Sequence, residues 1–432
     1  MDLTRLDLRG FAGSPAELRA ALPAPVDEQE RSAGAVAAIL ADVRQRGDAA
    51  LRELTARFDG VELDALQVPP AEVAAATDRV APEVRSALAT AAERIAAYHR
   101  HDLSPDPEPF VSGGVTVRGL WRPVERAGCY APGGRARYPS TVLMCAVPAR
   151  VAGVDEVVLC VPPGPDGRVD DVSLAAAAIA GVDAVFRVGG AQAIGAMAYG
   201  TESVPAVDVV VGPGNRFVAE AKRQVSGVVG VASAFAGPSE VVVVAGPDTP
   251  ARLAAVDLVV QAEHGPDGLA WLVTWSPELA DQVDAVVADI VAASPRRDDL
   301  ASTLATGGYT VLVDGPEQAV AVSNAVAPEH LELLVDGAVD LLGAVRSAGA
   351  VFLGPTSPAS VGDYLAGPNH VLPTNRTARF ASALRADDFR KHIHAVEVDE
   401  EALATLGPAV AALADAEGLP AHAASVRWRE PR

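Results

Sequence analysis

Four short segments of this chain concentrate the residue types that hold metals and move protons. The first, Gln261-Ala-Glu-His264, ends a helical stretch that begins with Thr249 as N-cap and Pro250 in the first turn. Residues three apart share a helical face, so Gln261 and His264 can present an oxygen and a nitrogen to one ion. The bland alternative is a polar helix end facing solvent. The second, Ala-Pro-Glu329-His330, opens an apolar strand. Pro328 restricts Ala327 and ends the preceding helix. A carboxylate beside an imidazole can activate water near neutral pH, although an isolated Glu-His dipeptide is more often an ordinary polar corner. The third, Gly-Asp363-Tyr-Leu-Ala-Gly-Pro-Asn-His370, is a loop past a strand end, where α/β proteins place their sites. The fourth, Glu417-Gly-Leu-Pro-Ala-His422, reads equally as a helix stop, with Gly418 as cap and Pro420 behind it. Zinc accepts such nitrogen and oxygen donors, from four ligands or from three plus an open place. Of the other histidines, His99 and His101 read as caps at a helix C-terminus, and His392 and His394 as structural.

Gly-rich turns carry a second signal. Val211-Gly-Pro-Gly-Asn215 and Gly189-Gly-Ala-Gln192 each lie between a strand and a helix, where backbone amides and a helix N-terminus can hold phosphate. Tyr130-Ala-Pro-Gly-Gly134 is a third such turn. No G-x-G-x-x-G follows a first strand, so any dinucleotide binds without the ordinary fingerprint.

These segments need elements to position them. Apolar residues recur at helical spacing over Ala33–Phe58 and, after a Pro-Pro break, over Pro70–His99. A Pro-rich, acidic stretch at 105–111 precedes a strand at Val115–Leu120. From Tyr130 to about Pro238, short apolar runs such as Val157–Val161, Ala184–Val188 and Val207–Val211 alternate with helices at Leu174–Ala180, Ala191–Tyr199 and Phe217–Val225. The alternation restarts after Gly237, with strands at Val241–Ala245, Leu269–Thr274, Tyr309–Val313, Leu331–Val335 and Ala350–Leu353, and helices at Ala251–His264 and Glu278–Ala292. The pattern predicts an α/β protein with two Rossmann-like, doubly wound units on mainly parallel sheets, plus small helical arms at both ends. The expected division is an N-terminal arm over 1–30, a first unit from 31–129 and 238–382, a second over 130–237, and a C-terminal arm over 383–432 ending in the helix Glu400–Ala416.

Composition bounds the possibilities. At 432 residues the chain suggests roughly two to three domains, and half of it is hydrophobic. A formal net charge of -21 argues against nucleic acid or an anionic membrane as partner, since both need a basic face. Three cysteines, Cys129, Cys145 and Cys160, form no CxxC pair, which fits neither a disulfide framework nor a thiolate zinc site and suits a reducing cytosol. The opening MDLTRLDLRGF lacks an apolar signal core, and no run reaches the ~18 apolar residues of a membrane span. The expectation is a soluble, cytoplasmic protein.

The motifs YAPGG, YPSTVLM, VGGAQAIGAMAYGTE, VGPGN, AGPSE, QAEHG, APEHLEL, GDYLAGPNHVLPT and EGLPAHAASVRWR follow one another from residue 130 onward. Together they resemble the histidinol dehydrogenase family, and the resemblance runs from about Ala33 to the C-terminus. It implies oxidation of L-histidinol to L-histidine through the aldehyde, with two NAD and one water. It places zinc on Gln261, His264, Asp363 and His422, and the catalytic pair on Glu329 and His330. Substrate contacts fall on Ser239, Gln261, His264, His330, Asp363, His370, Glu417 and His422, and NAD contacts on Tyr130, Gln192 and Asn215. It further implies a homodimer whose interlocked arms carry Glu417 and His422 into the partner's site. The chain departs from the family's pattern at Ser233, Gly265 and Asn375-Arg376, the last where glycines are the tendency. A rival is a paralogue with the same zinc and NAD machinery acting on another small primary alcohol; His370 and Glu417 speak against it. A non-catalytic binding protein on the same fold is disfavoured by Glu329 and His330, and a purely structural zinc protein by the lack of cysteine ligands.

Overall fold

The computed structural model describes residues 3–23, 29–133, 137–232, 239–263, 265 and 268–429. Its strands in chain order are β1 (Thr4–Asp7), β2 (Phe110–Ser112), β3 (Val115–Pro123), β4 (Arg126–Tyr130), β5 (Glu156–Val161), β6 (Ala184–Arg187), β7 (Val209–Val211), β8 (Gly230–Val231), β9 (Glu240–Ala245), β10 (Leu269–Thr274), β11 (Gly308–Leu312), β12 (His330–Leu334), β13 (Ala350–Leu353) and β14 (Arg390–Val398). They form a six-stranded sheet ordered β1-β11-β10-β9-β12-β13, a five-stranded sheet ordered β6-β5-β4-β7-β8, and a three-stranded sheet ordered β14-β3-β2. The two larger sheets are parallel throughout and the small one is antiparallel.

Continuous apolar runs make such sheets because both faces are covered by helices. In β9, Val241, Val243 and Ala245 enter one core while Val242 and Val244 enter the core on the opposite face. In β5, Val157, Leu159 and Val161 face one core and Val158 and Cys160 the other. Side chains alternating across a strand can fill two cores only when each face has its own helices.

Two expected helices are each broken in two. Ala33–Phe58 becomes Gln29–Arg46 and Asp48–Phe58, with Gly47 at φ 55° between them. Pro70–His99 becomes Pro70–Arg79 and Pro82–Asp102, because Pro82 cannot continue the helix before it. Both pairs pack on the five-stranded sheet: Val36, Leu40, Leu51 and Leu54 on one face, and Val73, Leu88 and Ile95 on the other. Residues 29–102 therefore go with the five-stranded sheet, whereas the sequence pattern groups them with the six-stranded one. At the N-terminus, residues 4–7 add the edge strand β1 beside β11, and helix Pro15–Ala21 has a capping box between Ser14 and Glu17.

His99 is not a helix cap. It is 1% exposed with neither ring nitrogen hydrogen-bonded among the described residues, and burial lowers its pKa to about 4. Thr249 does not cap its helix either, since Pro250 takes that position. The Thr249 hydroxyl instead accepts from Gly246 N at 3.0 Å and donates to Leu334 O at 2.6 Å.

Candidate active site

Residues from three segments of the six-stranded unit meet at the amino ends of β9 and β12. Glu329 and His330 enter β12, both at least 93% buried, after helix Pro316–Val326 ends at Ala327. Pro328 does end the helix at this point, and Ala327 ahead of it takes φ 52° and ψ 60°. This left-handed turn aims the chain straight into the strand, at a steric expense of about 1–2 kcal/mol for a residue with a Cβ. Asp363 arrives on the short helix Ala359–Tyr364. Its Oδ1 lies 3.3 Å from His330 Nε2, while Glu329 Oε2 lies 3.7 Å from His330 Nδ1. The imidazole is thus held between two carboxylates.

Electrostatics follow from that enclosure. Burial lowers the His330 pKa, but Glu329 and Asp363 together outweigh it and raise it to about 9. Burial raises the pKa of Glu329, with His330 opposing. His330 and Glu329 are therefore both shifted upward and compete for protons, with Asp363 as the second acceptor facing the imidazole. An isolated histidine titrates near neutrality; the shift here comes from the two acids that the fold brings to it.

A second tier of acids lies behind the pair and was not legible as motifs. Glu240 is 1% exposed and pushed up to about 8, by burial first and by Glu329 second. Its amide donates to Glu329 Oε2 at 3.1 Å, and its carboxylate accepts from the amides of Asn375 and Arg376. Those two residues have φ 55° and 62°, so consecutive amides converge on one acid in a backbone conformation that ordinarily favours glycine. Glu332 follows His330 on the same face of β12. Its Oε1 accepts from Ala359 N at 2.9 Å, at the start of the helix bearing Asp363. Glu332 also hydrogen-bonds Asp257, which requires a proton between the two carboxyls; burial and Asp257 push Glu332 up to about 9.

Ser239 donates to the Glu329 carboxylate. Gln261 sits, 3% exposed, near the end of helix Ala251–Ala262. His370 is half-buried beside Asn369, whose amide group donates to Met144 O at 2.6 Å and so ties this loop to helix Pro139–Ala152 of the other unit. His264, Ser233 and Gly134 lie outside the described residues. Glu417 and His422 are exposed on the C-terminal arm, where helices Glu400–Ala416 and Pro420–Arg427 share a small core of Ala411, Ala414 and Ala423. Within the chain neither forms a hydrogen bond or ion pair with Gln261, Glu329, His330 or Asp363 among the described residues. Likewise, no group of three or more His, Cys, Asp or Glu suited to a metal forms among the described residues. Of the four expected ligands, Gln261 is an amide, His264 lies outside the described residues and His422 is on the C-terminal arm, so the search among the described residues takes in only part of the set.

Tyr130, Gln192 and Asn215 do come together. They line a cavity of about 1540 Å³ that also takes in the Pro162–Pro163 turn. It opens at the carboxyl ends of β4, β5 and β7, where the strand order reverses between β4 and β7, the place where open parallel sheets bind ligands. Tyr130 OH accepts from Gly190 N at 3.1 Å at the start of helix Gly190–Tyr199. Asn215 caps helix Arg216–Val225, its Oδ1 accepting from Phe217 N and Val218 N. Gly212 approaches so closely that a Cβ there would stand 2.0 Å from Tyr130 O, and its φ is 109°.

The family model for histidinol dehydrogenase matches residues 23–430. The protein named histidinol dehydrogenase from Parasynechococcus marenigrum is 48% identical over 93% of this chain and 92% of its own length. That from Gluconobacter oxydans is 46% identical over 99% of both chains. The crystal structure of histidinol dehydrogenase from Elizabethkingia anophelis has a TM-score of 0.92 at 33% identity, covering 99% of this chain and 98% of that one. With nearly its whole length matched in sequence and in fold, the chain belongs to the histidinol dehydrogenase family of enzymes.

Proposed function

We propose that the chain oxidises L-histidinol to L-histidine through L-histidinal, with two NAD+, one water and a zinc ion. The observation that carries this reading is His330 held between Glu329 and Asp363, in a chain 46–48% identical to relatives named histidinol dehydrogenase.

The donor set fits zinc: an amide oxygen, a carboxylate and imidazole nitrogens, with no thiolate. Gln261, His264, Asp363 and the partner subunit's His422 would hold it. Bound there, zinc would supply a Lewis-acidic anchor for the nitrogen donors of the substrate, and NAD in the cavity would supply the hydride acceptor. His330, in its unprotonated form, removes the alcohol proton. Glu329, buried and linked to Ser239, takes a proton from the water that attacks the aldehyde. Ser239, His370 and the partner's Glu417 orient the substrate, and Tyr130, Gln192 and Asn215 hold the dinucleotide.

Dimerisation through the arms is supported by their unpartnered apolar surface. Val410, Leu413 and Trp428 are 45%, 68% and 87% exposed, and Val396 on β14 is 63% exposed. Cytoplasmic location suits three buried free cysteines, and no helix among the described residues is long and apolar enough to cross a membrane.

Purified protein given L-histidinol and NAD should form close to two NADH per substrate and lose activity on chelation. One NADH per substrate, or turnover of some other alcohol alone, overturns the reading.

A further inference from the structure

The cavity that gathers Tyr130, Gln192 and Asn215 has an acid in its wall that the steps above do not use. Asp59 directly follows helix Asp48–Phe58, and its amide bonds Thr55 O at 2.8 Å. Its Oδ2 is buried with no hydrogen-bond partner among the described residues. Burial alone raises its pKa, to about 6. Four arginines, Arg57, Arg79, Arg137 and Arg168, line the same cavity. None forms a described ion pair with it: Arg57 lies over the Phe58 ring at 5.1 Å, Arg79 pairs with Asp171 and Arg168 with Glu72.

A buried acceptor without a donor is unfavourable. A ligand that brings hydroxyl donors relieves that cost, whereas one that brings a phosphate to the same place worsens it. A vicinal diol matches a carboxylate best, since a turn of the Asp59 carboxyl, whose Oδ2 is closed off as it stands, brings both oxygens to two O–H groups. Asp59 also lies close enough to Tyr130 to act on its ionisation, which puts the carboxylate beside the turn where the dinucleotide is expected. In the ordinary Rossmann fingerprint an acid about 20 residues past the glycines binds a ribose. Here that fingerprint is absent, and the acid comes from a helix end ahead of the sheet.

We propose that Asp59 accepts hydrogen bonds from the vicinal hydroxyls of a ribose in the bound dinucleotide. The inference rests on the reading of this cavity as the NAD site. A dinucleotide has two riboses, and they are told apart by what each analogue carries.

Calorimetric binding to the whole protein tests it, with NAD, NADP, adenosine monophosphate and nicotinamide mononucleotide as probes against wild type, Asp59→Ala and Asp59→Asn. Asp59→Ala should weaken NAD by about ten- to hundredfold, the scale of a charge-assisted hydrogen bond, with Asp59→Asn in between. Both variants should melt at or above the wild-type temperature at pH 8, because they remove a half-buried carboxylate whose Oδ2 has no donor among the described residues; a purely structural Asp59 would lower it. Loss of adenosine monophosphate binding together with improved NADP binding assigns the adenosine ribose. Loss of nicotinamide mononucleotide binding assigns the other. Equal NAD affinity in all three proteins overturns the proposal. Wild type failing to bind NAD at all instead overturns the cofactor reading beneath it.

Discussion

Nε2 of His330 lies 3.3 Å from Oδ1 of Asp363, although 33 residues separate them. The contact depends on β12 and β13 pairing in parallel, His330 opposite Ala350, and on a short helix that returns Asp363 beside the entrance of β12. With Glu329 on the other side, the contact makes His330 a stronger base than an isolated imidazole.

The first prediction follows from its sign. A folded-state pKa raised to about 9 means that the proton acceptor is scarce at pH 7 and grows as pH rises. The rate should therefore climb about tenfold per pH unit from 7 toward 9 and then level off. A pH profile of kcat/KM for L-histidinol checks this, and a flat profile between pH 6 and 9 sinks it.

Glu329 and His330 should separate the two oxidations. Glu329→Gln keeps the shape and the contact with Ser239 but cannot take a proton from water. The histidinal step should fall by about 10²–10⁴-fold, the usual weight of a general base, and the histidinol step by much less. Single-turnover measurements started from each substrate resolve the two, and equal losses would remove the water-activation role.

His99 gives a stability test away from the site. Its pKa falls from 6.5 to about 4 on folding, so the unfolded chain takes up its proton first as pH drops. Stability is complete above about pH 6.5 and is lost on the way down to pH 4, by up to roughly 3 kcal/mol. His99→Leu also removes two ring nitrogens that have no partner among the described residues. It should raise the denaturation midpoint, and by more at pH 5 than at pH 8. A variant no more stable at pH 5 would show that the imidazole is satisfied.

What the sequence makes legible divides along physical lines. Alternating buried strands and helices specify two parallel sheets, because apolar run length and period are local properties of the chain. The Gly-rich turns specify the cavity, since each follows its own strand. The proton state of His330 is not local, as it depends on Asp363 and Glu329 converging through the fold. Glu240 and Glu332 are acids inside apolar strands, EVVVVA and HLELL; that incongruity is the signal by which they could have been found. Ala327 shows the opposite limit: the Pro rule for the preceding residue is statistical, and the helix-to-strand corner overrides it with a left-handed turn. His422 and Glu417 lie on an arm whose position relative to a second copy is not encoded in any short motif.

Gly212 tests whether the cavity turns act as one unit. A methyl group there would stand 2.0 Å from Tyr130 O in a backbone conformation, φ 109°, that residues with a Cβ rarely adopt. Neither side can give way easily. Tyr130 ends β4 between two paired strands, and the Gly212 carbonyl accepts a hydrogen bond from the buried ammonium of Lys222. Gly212→Ala must therefore push the Val211–Asn215 turn away from Tyr130, at a loss of about 1–3 kcal/mol in stability from overpacking. Displacing that turn moves Asn215 relative to Tyr130 and Gln192, so NAD binding should fall by at least about tenfold, since contacts of this kind depend on placement to within a fraction of an ångström. Histidinol binding, which the proposed function assigns to the other unit, should be nearly unchanged. Calorimetry with each ligand separately reads the difference. An alanine variant that keeps wild-type NAD affinity would show that Asn215 and Tyr130 do not serve one ligand.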